Sequence, residues 1–247
     1  AMGQEVELKI LLGEGGAAAL AARAARLAAA GDAASRRTLK AVYYDTPQRA
    51  LARRGFALRV RREGRRWVQT VKRGGGPVGG LSRVEEAEAP APGGRLDLAR
   101  IPDEAIRAAV EDAIGDAPLS PVFETDFRRV AQTLHGPHGG AVELAVDAGA
   151  IRANGAEAAL EEAELELTSG DVRDLFAVAR ALFPQGPLRF SRRNKAARGY
   201  ALAAGGAAVD REPPVVHAAA VVLSRGLTAE EAARDVLRAC FDQIAAN

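Results

Sequence analysis

The segment Gln4-Glu5-Val6-Glu7-Leu8-Lys9-Ile10 sets two carboxylates and an amine on alternate residues, with aliphatic residues between them. Side chains of an extended strand alternate faces, so Glu5, Glu7 and Lys9 share one face over roughly 13 Å, at about 3.3 Å per residue. Two neighbouring carboxylates offer hard oxygen ligands to a divalent cation, and an ammonium one step further along meets the phosphate that such a cation neutralises. A single strand of this kind also suits a solvated sheet edge, so recurrence has to separate the two readings.

The pattern recurs. Phe56-Ala57-Leu58-Arg59-Val60-Arg61 alternates two arginines with apolar residues, and Trp67-Val68-Gln69-Thr70-Val71-Lys72 puts Thr70 and Lys72 on one face. Leu81-Ser82-Arg83-Val84-Glu85 pairs a cation with an acid at the same step, and Thr125 to Arg129 brings Arg129 into phase with Thr125. Glu143 and Asp147 alternate with Val142, Leu144 and Val146, and Glu162, Glu164 and Glu166 alternate with small or aliphatic residues. Runs of like charge on a merely wetted sheet face repel one another. Here acids and bases are sorted by strand.

Strands with one charged and one apolar face fit either a flat sheet wetted on one side or a closed barrel with a charged bore and helices outside. The barrel is the better expectation, because closure removes exposed edges and surrounds a ligand with donors.

These segments, with Tyr43-Tyr44-Asp45-Thr46-Pro47 and Ser191-Arg192-Arg193-Asn194-Lys195-Ala196-Ala197-Arg198-Gly199-Tyr200, resemble in chain order the CYTH superfamily, the triphosphate tunnel metalloenzymes, over about residues 3–204. The resemblance implies an α+β fold: a closed antiparallel eight-stranded barrel, the tunnel, with helices packed outside. It implies that Lys9, Arg59, Arg61, Lys72, Arg83, Arg129, Lys195 and Arg198 grip phosphate oxygens, that Glu5, Glu7, Glu164 and Glu166 hold Mg²⁺ or Mn²⁺, and that Glu85 or Asp147 orients the attacking water. The implied activity is metal-dependent hydrolysis of tripolyphosphate to pyrophosphate and phosphate. Similar tunnels act on thiamine triphosphate or, as class IV adenylyl cyclases, on ATP, and a polyphosphate-binding module that does not cleave is a third reading. One position departs from the pattern: Ala87 stands where an acid is expected four residues after Arg83, and Glu88 replaces it only through a bulge.

Composition narrows the partners. A formal net charge of +2 on 247 residues, with seven Phe, three Tyr and one Trp, gives neither the basic surface nor the stacking rings of a general nucleic-acid binder. Of 34 basic residues only Lys9, Lys40, Lys72 and Lys195 are lysines, and three of them fall in the motif strands. Cys240, the single cysteine, excludes an internal disulfide framework. The sequence shows no apolar run of transmembrane length and no signal-peptide layout, so the expectation is a cytoplasmic protein.

Amphipathic helices are expected over Gly16 to Ala30, Pro102 to Ile114, and Asp171 to Phe183 with Asp171 as N-cap and Pro184 as a stop. The stretch from Gly74 to Gly79 fits a Gly-x-Gly-x-x-Gly pattern, but Pro77 and the strand that follows make it a hairpin loop. His135 and His138 sit in a Gly/Pro turn without other ligands, and His217 stands alone, so none is read as a metal ligand. After residue 204 a linker is expected over 205–226, containing Pro213-Pro214. The capping-box residues Thr228 and Glu231 then open a helix, read within 227–247 as the first helix of a CHAD domain, a helical partner found behind similar tunnels.

Overall fold

The computed structural model describes residues 2–12, 16–29, 32–74, 77–184, 189–206 and 216–246. The seven alternating runs, with the segment leading into Tyr43-Tyr44-Asp45, form strands β1 (Met2–Leu11), β2 (Ser35–Asp45), β3 (Phe56–Glu63), β4 (Arg66–Arg73), β5 (Leu81–Pro90), β6 (Ser120–His135), β7 (Ala141–Ala153) and β8 (Ala156–Ser169). All neighbours are antiparallel, and the ring closes in the order β1-β5-β4-β3-β2-β6-β7-β8. Closure pairs every strand on both sides, which removes the edges that a flat sheet would expose. Asn154 and Gly155, both at positive φ (50° and 77°), make the tight β7–β8 turn that the right-handed strand twist favours.

Among the described residues six α-helices occur: α1 (Gly16–Leu27), α2 (Ala50–Arg53), α3 (Glu104–Ile114), α4 (Val172–Leu182), α5 (Lys195–Ala203) and, in the C-terminal part of the chain, α6 (Ala229–Ala246). Burial on the outer wall follows the strand period. Leu8, Ile10, Leu144, Val146 and Leu165 turn outward and pack under Leu20 and Ala24 of α1 and Leu175, Val178 and Leu182 of α4. Leu58, Val71 and Ala87 turn outward under Leu51 of α2 and Ile106 and Val110 of α3. As expected, Asp171 caps α4, accepting from Arg173 N. Asp103 caps α3, accepting from Ile106 N.

The inner face changes character along β6, β7 and β8. Beyond the charged residues, Phe123, Phe127, Ile151 and Leu160 form an apolar plug with Leu39, Tyr43 and Leu202 of α5. Tyr43 stacks on Phe123 at 4.3 Å between ring centroids, and Tyr200 of α5 meets Phe123 edge-on at 5.2 Å. A β-carbon at Gly199 would lie 2.1 Å from the Phe123 ring, so this close seating of α5 requires glycine.

The chain divides into two units, Ala1–Val209 and Asp210–Asn247. In the second, Thr228 and Glu231 make the expected capping box: Thr228 N donates to the Glu231 carboxylate at 2.8 Å and Glu231 N to Thr228 Oγ1 at 3.3 Å. The Pro213-Pro214 part of the expected linker, Gly75-Gly76 of the hairpin loop and Ala30 of the first expected helix lie outside the described residues. No helix among the described residues is long and apolar enough to cross a membrane.

Candidate active site

Inside the barrel lies a cavity of about 600 Å³ whose lining is sorted by charge. Glu5 and Glu7 of β1, Glu164 and Glu166 of β8 and Glu143 of β7 form an acidic wall. In the ring order β3 and β2 stand four strands from β8 and β1, and they bring Arg59, Arg61 and Arg37 to the opposite wall. Lys72 of β4 and Arg129 of β6 stand between the walls, and Lys9 follows the acids on β1. Two helices contribute from the ends of the strands, Arg53 of α2 and Lys195 of α5.

Buried charges need partners, and most have several. Lys9 Nζ lies 2.8 Å from Glu7 and 2.7 Å from Glu164. Arg129 forms a bidentate pair with Asp147, both bonds 2.7 Å, and reaches Glu164 at 2.6 Å. Lys195 touches Asp147 and Glu164, each at 2.8 Å, and Glu162. Lys72 pairs with Glu5 and stands 3.6 Å from Glu86. Arg61 pairs with Glu63 and lies 3.5 Å from Glu88. Two donors stand apart: among the described residues, Nε of Arg59 and Nε of Arg61 are buried without a hydrogen-bond acceptor. An unsatisfied buried donor costs about 1–3 kcal/mol. Both are on the wall where an anion would lie.

The protonation states follow from this arrangement. Burial pushes Glu164 up, but Lys195, Lys9 and Arg129 together bring its carboxyl well below the ordinary value. Burial likewise opposes ionisation of Glu5, and Lys72 reverses it to a net lowering. For Glu7 burial wins over Lys9 and the shift is upward. Glu166 is pushed up to about 7 by burial and by the neighbouring Glu5. Lys9 and Lys195 stay charged because their carboxylates outweigh burial.

Of the residues expected in the site, Glu5, Glu7, Lys9, Arg59, Arg61, Lys72, Arg129, Glu164, Glu166 and Lys195 line the cavity. The other expectations are corrected. Arg83 and Glu85 are exposed and point away from the bore, where Arg83, Glu85 and Arg73 border a shallow outer depression. The inward residues of β5 are Ser82, Val84, Glu86 and Glu88, so Glu88 reaches the bore without a bulge and Ala87 belongs to the outer core. Asp147 is fully buried and lies behind the cavity lining, with both oxygens held by Arg129 and one also by Lys195, so here it fixes cations and does not face the bore. Arg198 is buried behind the lining, bonded to Glu162 at 3.1 Å and to the carbonyl of Ala159 at 2.9 Å, where it anchors α5. Lys195, read with the strand motifs, opens α5 instead. Sequence reasoning missed Arg37, Arg53, Glu86 and Glu143 as lining residues; for Glu143 the signal was present, since it alternates in phase with Asp147.

Asp147, Glu162 and Glu164 are close enough to share an ion. Their oxygens, however, already meet Arg129, Lys195 and Arg198, and a trio neutralised by three cations is a poor metal site. A second row of acids, Glu7, Glu166 and Glu143, consists of direct cross-strand neighbours on the inner face and lines the cavity. Like charges placed directly opposite repel, and Glu7 and Glu143 add to the burial and the Glu5 charge that hold the Glu166 carboxyl up to about 7. Hard carboxylate oxygens facing a polar cavity suit Mg²⁺-type cations.

Comparison with known proteins agrees with this architecture. A curated relative, an inorganic triphosphatase from Haemophilus influenzae, is 34% identical over 162 residues, covering 65% of this chain and 44% of the relative. The chain therefore spans less than half the length of that relative. The solved structure of a putative adenylyl cyclase from Hippeastrum, described as having a dominant triphosphatase activity, superposes with a TM-score of 0.57 at 19% identity, covering 82% of this chain and 96% of the other. At that identity the likeness is one of fold. The CYTH domain family matches residues 3–200, the whole of the barrel and most of α5, and the chain belongs to that family.

Proposed function

We propose that the barrel binds a linear inorganic triphosphate together with a divalent cation, Mg²⁺ or Mn²⁺, and hydrolyses it to pyrophosphate and phosphate. The observation that carries this reading is the opposition of an acidic wall to a cationic wall holding two buried guanidinium donors without acceptors. Phosphoryl transfer relies on positioning and charge neutralisation more than on covalent chemistry. Arg59 and Arg61 bind phosphate oxygens from one side, while Lys9, Lys72, Arg129 and Lys195 bind from the flanks and hold the chain in line. Glu5, Glu7 and Glu166, with Glu143 beside them, would hold the cation, which when bound supplies charge neutralisation and a more acidic water. Glu164 and Asp147 keep Lys9, Arg129 and Lys195 in place. The apolar plug and α5 limit water at one end of the bore.

The reading extends to organisation and location: residues 1–204 as the tunnel, 205–226 as a linker, 227–247 as the opening helix of a CHAD-type domain, in a cytoplasmic protein. The capping box and the apolar positions Val236, Leu237, Phe241 and Ile244 support a helix with a face to bury.

Phosphate release from tripolyphosphate, ATP, thiamine triphosphate and long-chain polyphosphate, with Mg²⁺ and with EDTA, tests the activity. Turnover of tripolyphosphate that requires Mg²⁺ and exceeds that of the organic triphosphates is expected. Preference for ATP or thiamine triphosphate would replace the substrate, and binding without turnover would make the barrel a polyphosphate-binding module.

A further inference from the structure

The lining of the bore is longer than a triphosphate. On β3 the lining runs from Ala57 to Glu63, six residue steps, or about 20 Å along the strand and about 15 Å along a barrel axis to which the strands tilt by 35–45°. Three phosphates joined by two bridging oxygens span well under that length.

Cations continue past the point where carboxylates stop answering them. Arg37 lines the cavity and lies directly across from Arg129 on the inner face of β2 and β6. Arg129 is paired with Asp147 and Glu164, and Arg37 faces its like charge. The cross-strand partner of Leu39 is Glu63, and that of Glu63 is Arg66, so Arg66 shares the same inner face at the start of β4. Glu63 is taken by Arg61. Arg37 and Arg66 are both exposed and have no ion pair among the described residues. Two residues along and two strands across separate their α-carbons by about 12 Å. The two guanidinium groups thus border one mouth of the bore, aligned with Arg61 and Arg59 inside it.

We infer that this mouth receives the trailing phosphates of a linear polyphosphate longer than three units, and that Arg37 and Arg66 determine how strongly chain length is rewarded. The inference rests on the proposed binding of triphosphate in the bore. A nucleoside or thiazole group has no use for two further cations at this position, whereas each added phosphate of an inorganic chain brings another charge. Exposed pairs of this kind are screened by salt, so their effect is largest at low ionic strength.

Titration calorimetry of the full 247-residue chain with tripolyphosphate and with long-chain polyphosphate, at low and high salt, tests it. The measured quantity is the affinity for the long chain, per chain, relative to that for tripolyphosphate. In the unaltered protein this ratio exceeds one at low salt and falls as salt is added. In the variant R37A/R66A it drops by about tenfold at low salt, as expected for losing one charge-assisted contact or more. Arg83→Ala, on the outer wall, leaves the ratio unchanged. An unchanged ratio in R37A/R66A, an equal drop in Arg83→Ala, or a ratio of one in the unaltered protein overturns the inference. If tripolyphosphate itself neither binds nor is cleaved, the proposed function fails instead, and the two failures are told apart in one experiment.

Discussion

The hydroxyl of Tyr200 donates to Asp45 Oδ2 at 2.9 Å, across an interval of 155 residues. Asp45 is fully buried, and its carboxylate also accepts from the backbone N–H of Thr46, Leu51 and Ala52. One side chain therefore caps α2, which brings Arg53 to the cavity, and clasps α5, which brings Lys195. Arg49, left-handed at φ 59°, stands over the Tyr200 ring at 6.0 Å.

Tyr200→Phe keeps the ring against Phe123 but removes the bond to a buried carboxylate, a contact worth about 1.5–3 kcal/mol. A fall of about that size in urea-unfolding stability is expected, with a severalfold rise in KM for tripolyphosphate because Lys195 and Arg53 lose a common anchor. A variant as stable as the parent would show that Asp45 finds another donor.

The two walls predict two kinds of loss. Glu5→Gln or Glu7→Gln removes metal-supported turnover but leaves triphosphate binding in EDTA intact or stronger, since a repelling acid is gone. Arg59→Ala weakens binding itself, by roughly tenfold to a hundredfold, for the loss of a charge-assisted contact of about 1.5–3 kcal/mol. Calorimetry in EDTA separates them, and equal losses in both sets would mean that the walls do not divide the work.

Asp147→Asn leaves Arg129 and Lys195 short of a partner in a buried setting, and removing one member of a buried pair costs about 3–5 kcal/mol. The melting temperature should drop, and tripolyphosphate should restore more of it than in the parent, because the anion replaces the missing charge. Glu85→Gln, on the outer face, should change neither melting nor turnover; a loss of turnover there would reverse the assignment of inward and outward residues on β5.

Glu166 gives a pH dependence with a definite sign. Its carboxyl is raised from the ordinary 4.5 to about 7, so between those values the native state holds a proton that the unfolded state has lost. Stability of the metal-free protein therefore declines as pH rises from about 4.5 to 7 through this group, and Glu7, also raised, acts in the same direction. Cation binding must displace that proton, so Mg²⁺ affinity falls as pH drops below about 7, by up to tenfold per unit. Urea midpoints from pH 5 to 8, with EDTA and with Mg²⁺, read both effects; a flat profile in EDTA would place Glu166 in open solvent.

Legibility differed from strand to strand for a physical reason. On β1 and β8 every charged residue of the motif lies in one phase, and an apolar core claims the other, so the inner face could be read directly. On β5 charges occupy both phases: Arg83 and Glu85 in one, Glu86 and Glu88 in the other. The deciding residues are Ala87 and Ala89, small enough to lie under the outer layer, and they carry Arg83 and Glu85 outward with them. Helix α5 was hidden by its own motif. Asn194 caps it, accepting from Ala197 N at 2.8 Å, but the basic run Arg192 to Arg198 drew attention to charge rather than to the cap. The pairing of Asp45 with Tyr200 has no local signature, since it depends on how the barrel closes.

The opposed walls have a consequence for the order of events. The bore is an inner salt: Lys72 rests on Glu5, and Lys9 on Glu7 and Glu164. A phosphate chain that engages Lys72 and Lys9 draws these ammonium groups away, and doing so uncovers the carboxylates that a divalent ion requires. Conversely, an ion seated on the acids releases the ammonium groups to the anion. Each ligand thus prepares the other's place, and by thermodynamic reciprocity the factor by which Mg²⁺ tightens tripolyphosphate binding must equal the factor by which tripolyphosphate tightens Mg²⁺.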